Sequence, residues 1–326
     1  MTEKKALAAG TGGSVVVDRC QVCDHGELDP VIFIGYLPPG NQMHPIGERP
    51  HEQPAYPAEL LRCTRCRLVQ IGLIVDPAIL FPPEYPYTSG TTKILRDNFA
   101  ELYRETRGIL PLGSDDLAID IGSNDGTLLS NFRDGGHRVF GIEPTLTGDL
   151  AKERGIPTLR SFFTAEAARK VRREQGPAKI LTATNVFAHI ENIHDIVEGI
   201  LALLDDRGLF ISESHYLGSL LETLQYDTIY HEHLRYYSLH SLKHLLEMHG
   251  LEVVHAKRIT THGGSIRVYA ARKGIHPVRE TVATILREEG TAEREAAALE
   301  EFRLRVVRSK LGIYGLIREL REGGGE

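Results

Sequence analysis

The sequence predicts an α/β chain built on a mostly parallel, doubly wound sheet, with a small cysteine-bearing module before it and a helical segment after it. Three observations carry this expectation. From residue 116 to about 270, short apolar runs bounded by turns alternate with amphipathic stretches, the pattern of strand–helix–strand units covered on both faces. The first run leads into a glycine-rich turn, Asp120-Ile121-Gly122-Ser123-Asn124-Asp125-Gly126. The four cysteines form two Cys-x-x-Cys pairs, Cys20/Cys23 and Cys63/Cys66, all ahead of the alternating region.

With 326 residues the chain is too long for one small core. Residues 1–13 read as a disordered start and 14–80 as a loop-rich, metal-binding module with β-like runs at 31–34 and 68–71. Residues 81–275 form the main domain, entered through the aromatic, proline-rich link FPPEYPYTSGTT. A helix follows over 93–108, with Ile94, Leu95, Phe99, Leu102 and Tyr103 near helical spacing. Strands are expected at 117–121, 139–143, 180–185, 209–213, 251–254 and 265–270, and helices through 128–132, 193–204 and 239–249. Residues 276–326, rich in Glu, Arg, Ala and Leu, read as two helices broken at Gly290-Thr291.

Composition narrows the function classes. A net charge of −6 gives no global attraction for nucleic acid or an anionic membrane. No apolar run reaches the ~20 residues that span a bilayer, and the N-terminus has no sustained apolar leader. Paired cysteine knuckles in a long chain favour metal over a disulfide framework, so a cytoplasmic location is expected.

Thirty-nine residues separate Cys23 from Cys63. Each Cys-x-x-Cys turn points two thiolates to one side, and two such turns complete a tetrahedral four-cysteine shell for zinc. Redox chemistry is the alternative, but it needs one pair and a thioredoxin-like setting. A four-thiolate shell leaves no open position, so the expected zinc is structural.

In the glycine turn, Gly122 and Gly126 permit a tight bend at the C-terminal edge of the sheet, where such folds bind ligands. Glu143 lies 21 residues beyond Gly122, where a carboxylate can bridge two ribose hydroxyls. A dinucleotide site usually reads G-x-G-x-x-G and receives a diphosphate. Here Asp125 stands near the diphosphate position, repelling an anion and attracting a sulfonium-bearing amino acid. That favours S-adenosylmethionine over NAD.

Two stretches supply acid–base groups. Asn185-Val186-Phe187-Ala188-His189 follows a strand at the ligand edge, and Tyr230-His231-Glu232-His233 lies in a polar, aromatic segment. On a strand His231 and His233 would share a face, raising a second metal site; on a helix they would diverge. A histidine base oriented by Glu232 or Tyr230 is the more economical reading, and core hydrogen bonding is the bland one. Before the last strand, His262 and Gly263-Gly264 read equally as room for a substrate or as a tight turn.

The ordered set C-x-x-C pairs, D-I-G-S-N-D-G-T-L-L, G-I-E-P, N-V-F-A-H-I, Y-H-E-H and H-G-G-S-I-R-V-Y, running from Cys20 to Tyr269, resembles the sugar C-methyltransferases of deoxysugar biosynthesis. The resemblance implies an N-terminal zinc module and a Rossmann-like class I methyltransferase domain that uses S-adenosylmethionine. It implies methylation at C-3 of a nucleotide-linked 4-keto sugar through a histidine-generated enolate. On it, His233 is the general base, with Tyr230, Glu232 and His189 lining the site. Tyr85 or Tyr87 reaches the same cavity, where His262 is the further substrate candidate on its position, and Gly122, Asn124, Asp125, Glu143, Pro144 and Asn185 hold the cofactor. The family continues into another α/β domain that helps hold the nucleotide, and this chain stops near where that domain would start. The chain is then either a naturally short member or a truncated one; if naturally short, the alternatives are a nucleoside or other small acceptor, by C- or O-transfer, or a non-catalytic protein binding zinc and S-adenosylmethionine.

Overall fold

The computed structural model describes residues 13–40, 47, 52–80 and 89–323. Tyr85 and Tyr87, like most of the start at 1–13, lie outside the described residues.

The front of the chain forms strands β1 (Val15–Val16), β2 (Leu28–Leu37), β3 (Tyr56–Cys63), β4 (Val69–Ile71) and β5 (Leu73–Ile74), then the short helix α1 (Pro77–Leu80). Helix α2 (Lys93–Ile109) packs before the main sheet, buried through Leu95, Phe99 and Leu102. The alternating region follows as β6 (Leu117–Ile121), α3 (Thr127–Asp134), β7 (Arg138–Ile142), α4 (Thr147–Glu153), β8 (Thr158–Leu159), α5 (Ala165–Gln175), β9 (Ala178–Thr184), α6 (Ile193–Leu203) and β10 (Leu204–His215). After it come α7 (Leu217–Thr223), β11 (Arg235–Tyr236), α8 (Leu239–Met248), β12 (Leu251–Ile259), β13 (Ser265–Arg272), α9 (Glu280–Glu289) and α10 (Ala292–Glu322).

Seven strands form the main sheet in the order β12-β13-β10-β9-β6-β7-β8. The strands from β10 to β8 pair in parallel, and β13 runs antiparallel between β10 and β12. Alternation builds the two covered faces. Along β6, Leu117, Ile119 and Ile121 enter one core with α5, α6, α8 and α9, while Ala118 enters the other with α2 and α3. Gly290 ends α9 with positive φ, and Thr291 caps α10, as the sequence implies.

The cysteine module is not a separate unit. Strands β2, β3 and β4 form an antiparallel sheet whose edge is completed by β11, from far later in the chain. Cys20, Cys63, Cys66 and Leu68 belong to the same core as Ile119, Phe187 and Tyr237. On the other face, Val31, Leu60 and Val69 pack with Leu217, Leu220 and with Phe302 and Val306 of α10. Glu295 ties α10 down further by accepting from Arg62 at 2.8 Å and Arg67 at 2.9 Å. Among the described residues, no helix is long and apolar enough to cross a membrane.

Candidate active site and metal centre

The β6–α3 turn is shaped by backbone that few side chains tolerate. Gly122 (φ 68°), Asn124 (φ 49°) and Gly126 (φ 77°) all lie in the left-handed region. A Cβ at Gly122 would meet Val186 Cγ2 at 2.5 Å, so the turn lies directly against the segment that follows β9. That segment begins with Asn185, also left-handed at φ 56°. Non-glycine residues in this region collect at functional sites.

Glu143, which follows β7, is buried and holds the turn. It accepts from the Asn124 N–H at 2.9 Å, the Thr145 N–H at 2.8 Å and the Thr145 hydroxyl at 2.6 Å. A carboxylate offers about four acceptor sites, which leaves capacity for a ligand hydroxyl. The half-buried Pro144 follows it.

Asp125 differs from the expectation that its charge faces the ligand. Its carboxylate accepts from the Gly90 N–H at 3.0 Å and the Thr127 hydroxyl at 2.7 Å, and pairs with Arg154 at 2.9 Å. Its charge is therefore taken up in tying the turn to the segment before α2 and to the end of α4. The negative charge at this edge comes instead from Glu143 and from Glu213, the latter paired with Arg267. Burial, with Glu143 and Glu213 nearby, pushes Asp120 up to about 8, although the Thr182 hydroxyl donates to it at 2.6 Å.

Because Asp120 is protonated in the fold and ionised in the unfolded chain above its ordinary 3.8, its burial costs stability as pH rises from about 4 to 8. Asp120→Asn is expected to be more stable than the parent at pH 8, with the difference shrinking toward pH 4. Denaturant unfolding across that range checks this; a variant weaker at every pH would contradict it.

The Tyr230–His233 segment is a turn, and its two histidines diverge. The His231 Nε2–H donates to the Pro57 carbonyl at 3.1 Å, into the cysteine module. The His233 Nδ1–H donates to the Thr228 carbonyl at 3.0 Å, which fixes the tautomer and leaves Nε2 as acceptor, 3.4 Å from the Tyr230 hydroxyl. The shared-face arrangement that a second metal would need is absent, and among the described residues only the cysteines cluster as metal ligands.

Around His233 the fold gathers several rings. The His189 ring lies 4.9 Å away, Tyr230 4.5 Å and His215 6.2 Å, centroid to centroid. Burial, and then His189, His215 and His262, hold His233 down at about 3; burial and His262 hold His189 at about 4. His262 (φ 52°) lies 3.3 Å from Asn185, which joins the histidine cluster to the segment packed on the glycine turn. Glu232 is buried, and its Oε1 and the Tyr230 ring lie 3.7 and 3.5 Å from where a Cβ on Gly40 would stand.

Gly263 and Gly264 resolve to the tight-turn reading. Both have positive φ, and added Cβ atoms would strike Gln225 Oε1 and Ser219 Cβ. Two site residues escape the sequence reading. His215 ends β10 at the ligand edge, and Gln225 Oε1 accepts from it at 3.0 Å while the Gln225 amide donates to the Gly263 carbonyl at 2.7 Å. The strand-end position of His215 was the available signal.

The four cysteines converge. None is in a disulfide, and all four sulfurs lie within 4.8 Å of one another, with Cys20–Cys66 at 3.4 Å and Cys23–Cys63 at 3.5 Å. A tetrahedral shell with Zn–S near 2.3 Å has sulfur–sulfur edges of about 3.8 Å, so the set fits zinc with little adjustment. Since these cysteines share the central core, chelation is expected to lower the melting temperature of the whole chain in one transition. A separate early transition, with the main domain unshifted, would contradict this.

Comparison with known proteins agrees with this layout. A family model described as "Putative zinc binding domain" matches residues 20–81, one described as "Methyltransferase domain" matches 94–256, and one described as "C-methyltransferase C-terminal domain" matches 260–326. The last takes in the helical segment together with β13. The C-methyltransferase NovU of Streptomyces niveus is 36% identical over 276 residues, covering 84% of this chain. The chain spans 65% of that relative's length. Among solved structures, the PH0226 protein of Pyrococcus horikoshii matches at 13% identity and TM-score 0.46, covering 61% of this chain and 97% of its own. The magnesium protoporphyrin IX methyltransferase of Synechocystis, solved with bound SAM, matches at 12% identity and TM-score 0.42, covering 55% and 79%. With a class I sheet and a methyltransferase model spanning half its length, the chain belongs to the methyltransferases, with matches to a zinc-binding model before that domain and a C-methyltransferase C-terminal model after it.

Proposed function

We propose that the chain methylates the carbon next to a ketone, C-3 of a nucleotide-linked 4-keto deoxysugar, with S-adenosylmethionine as methyl donor and His233 as base. The observation that carries this reading is the His233 tautomer: Nδ1–H is bound to Thr228, and the unprotonated Nε2 stands among Tyr230, His189 and His215 beside the cofactor edge.

The cofactor's charge fits the edge it would occupy. Burial, aided by the charges of Glu143 and Glu213, keeps a proton on Asp120, and those two charges favour a sulfonium. Glu143 would take the ribose hydroxyls, with Gly122, Asn124, Pro144 and Asn185 lining the rest; Asp125 supports the turn. When bound, S-adenosylmethionine supplies an electrophilic methyl group.

The chain's own residues prepare the carbon. A ketone acidifies the adjacent C–H, and His233 Nε2 takes that proton. The Tyr230 hydroxyl, kept protonated by burial and Glu232, donates to the developing enolate oxygen. Burial, and after it the three imidazoles around it, make His233 a weak base; the negative charge of a developing enolate or a diphosphate in the crevice opposes both and raises it. Methyl transfer itself then needs mainly positioning.

Methyl-labelled cofactor, offered with a panel of nucleotide-linked 4-keto sugars, free keto sugars and nucleosides, tests the acceptor. Label in a keto-sugar nucleotide is the expected outcome. Label confined to a nucleoside or free sugar would overturn the acceptor class, and label in none would overturn the activity.

A further inference from the structure

Arg235 is a buried cation with no carboxylate at ion-pair distance. It is 2% exposed, and among the described residues no salt bridge reaches it. Its guanidinium donates to the Ile190 and Glu191 carbonyls, the latter at 2.6 Å, and its buried Nε–H finds no acceptor. Burying an uncompensated charge is expensive, so such a group normally has a counter-charge close by.

Two sets of contacts place Arg235 between the metal centre and the catalytic loop. On one side it registers with Gln70 across the β11–β4 pair. The Gln70 side chain, fully buried, accepts from the Gln21 N–H at 2.8 Å and donates to the Arg19 carbonyl at 3.0 Å, bracketing Cys20. Burial opposes the Arg235 charge; Tyr237, and after it Cys20 and Glu191, favour it, and Cys20 also acts on Tyr237 two residues on. On the other side, β11 and its neighbours run along the loop that carries His189. The Tyr237 hydroxyl donates to the Phe187 carbonyl, the Leu234 N–H to that of Ala188 at 2.9 Å, and Arg235 to Ile190 and Glu191.

Zinc held by four thiolates carries a net charge of about −2, the 2+ ion against four single negative charges. We infer that Arg235 is the internal counter-charge of the cysteine-bound metal and, through its bonds to Ile190 and Glu191, the positioning residue that couples that metal to the His189 loop. The inference rests on the metal reading of the four cysteines and is independent of the methyl acceptor. It gives the metal a role beyond bracing. A loaded four-thiolate centre stabilises the guanidinium, and the guanidinium holds the carbonyls next to His189.

The test uses the full chain with Arg235→Met, Arg235→Gln and Arg235→Lys, loaded with zinc or with cobalt(II) as a spectroscopic probe. Competition against a chromophoric chelator reads metal affinity. The two neutral variants are expected to bind zinc at least about tenfold more weakly, and Arg235→Lys within about threefold of the parent. A nearby cation stabilises the sulfur lone pairs, so the cobalt–thiolate charge-transfer band should move to lower energy in the neutral variants and stay in place in Arg235→Lys. A purely steric role for Arg235 would not sort the variants by charge. Failure of both neutral variants to fold with metal, while Arg235→Lys does, supports the inference. Folded neutral variants with parental affinity and an unmoved band overturn it, as does an Arg235→Lys chain that loses metal or folding as fully as they do.

Discussion

His233→Asn is expected to slow methyl transfer by about 10²–10⁴-fold while leaving affinity for the cofactor unchanged. The substitution is chosen for what it preserves. An asparagine amide N–H can replace Nδ1–H in the bond to the Thr228 carbonyl, so the turn keeps its shape, and only the acceptor at Nε2 is lost. Single-turnover rates with saturating cofactor check the first half, and calorimetry with the cofactor product checks the second. Turnover close to that of the parent would remove His233 from the chemistry. The same variant should change acid stability in a defined direction. The native histidine is held down at about 3, below its ordinary 6.5, so the unfolded chain binds the extra proton between those values. Stability is unaffected above pH 6.5 and is lost as pH falls through that window. The variant should lose less over the same interval.

Arg267→Met is expected to cost about 3–5 kcal/mol of stability, the scale for removing one partner of a buried ion pair. Arg267 is fully buried on β13, where it donates to Glu213 at 2.5 Å, to Glu105 at 2.7 Å and to the Asn98 side-chain oxygen at 2.8 Å. Asn98 in turn donates to Glu213 at 2.9 Å, and the Tyr269 hydroxyl donates to Glu105 at 2.8 Å. The network binds α2 to the middle of the sheet. Deleting the guanidinium leaves Glu213 buried with only the Asn98 amide donating to it. Adding Glu213→Gln to Arg267→Met should recover part of the loss, because the second change removes the stranded charge. Denaturant unfolding of the parent, both single variants and the double variant checks both statements; an Arg267→Met loss under about 1 kcal/mol would mean that the pair is not holding the sheet.

Much of this architecture was legible because it rests on local pattern. Short apolar runs marked β6, β7, β9, β10 and β13, and Gly290-Thr291 marked the α9–α10 break. The stretch between Glu143 and Ile180 was silent for a physical reason. Strand β8 is two residues long, and α5, AEAARKVRREQ, buries only Ala165, Ala168 and Val171, too thin a stripe to stand out. At the proposed site, spacing and residue type single out the glycine turn, Asn185, His189 and His233, and the fold brings them together. Asp125 misled because a carboxylate in a ligand-edge turn looks the same whether it faces solvent or is paired, and Arg154 lies 29 residues away. The pairing of β11 with β4 was invisible for a similar reason. Arg235-Tyr236 is too short to register as a strand until Gln70 and Val69 lie opposite it. Long-range pairing of this kind packs the cysteine module against the segment that carries Tyr230 and His231.

The proposed methyl transfer to carbon, after proton removal by His233, has one most direct test. Trideuteromethyl-labelled cofactor is supplied with a 4-keto sugar nucleotide deuterated at C-3, and the label is located by mass spectrometry and NMR. The expected product carries the labelled methyl on C-3 and has lost the C-3 deuterium to solvent. A labelled methyl on oxygen or nitrogen, with the C-3 deuterium retained, would contradict it.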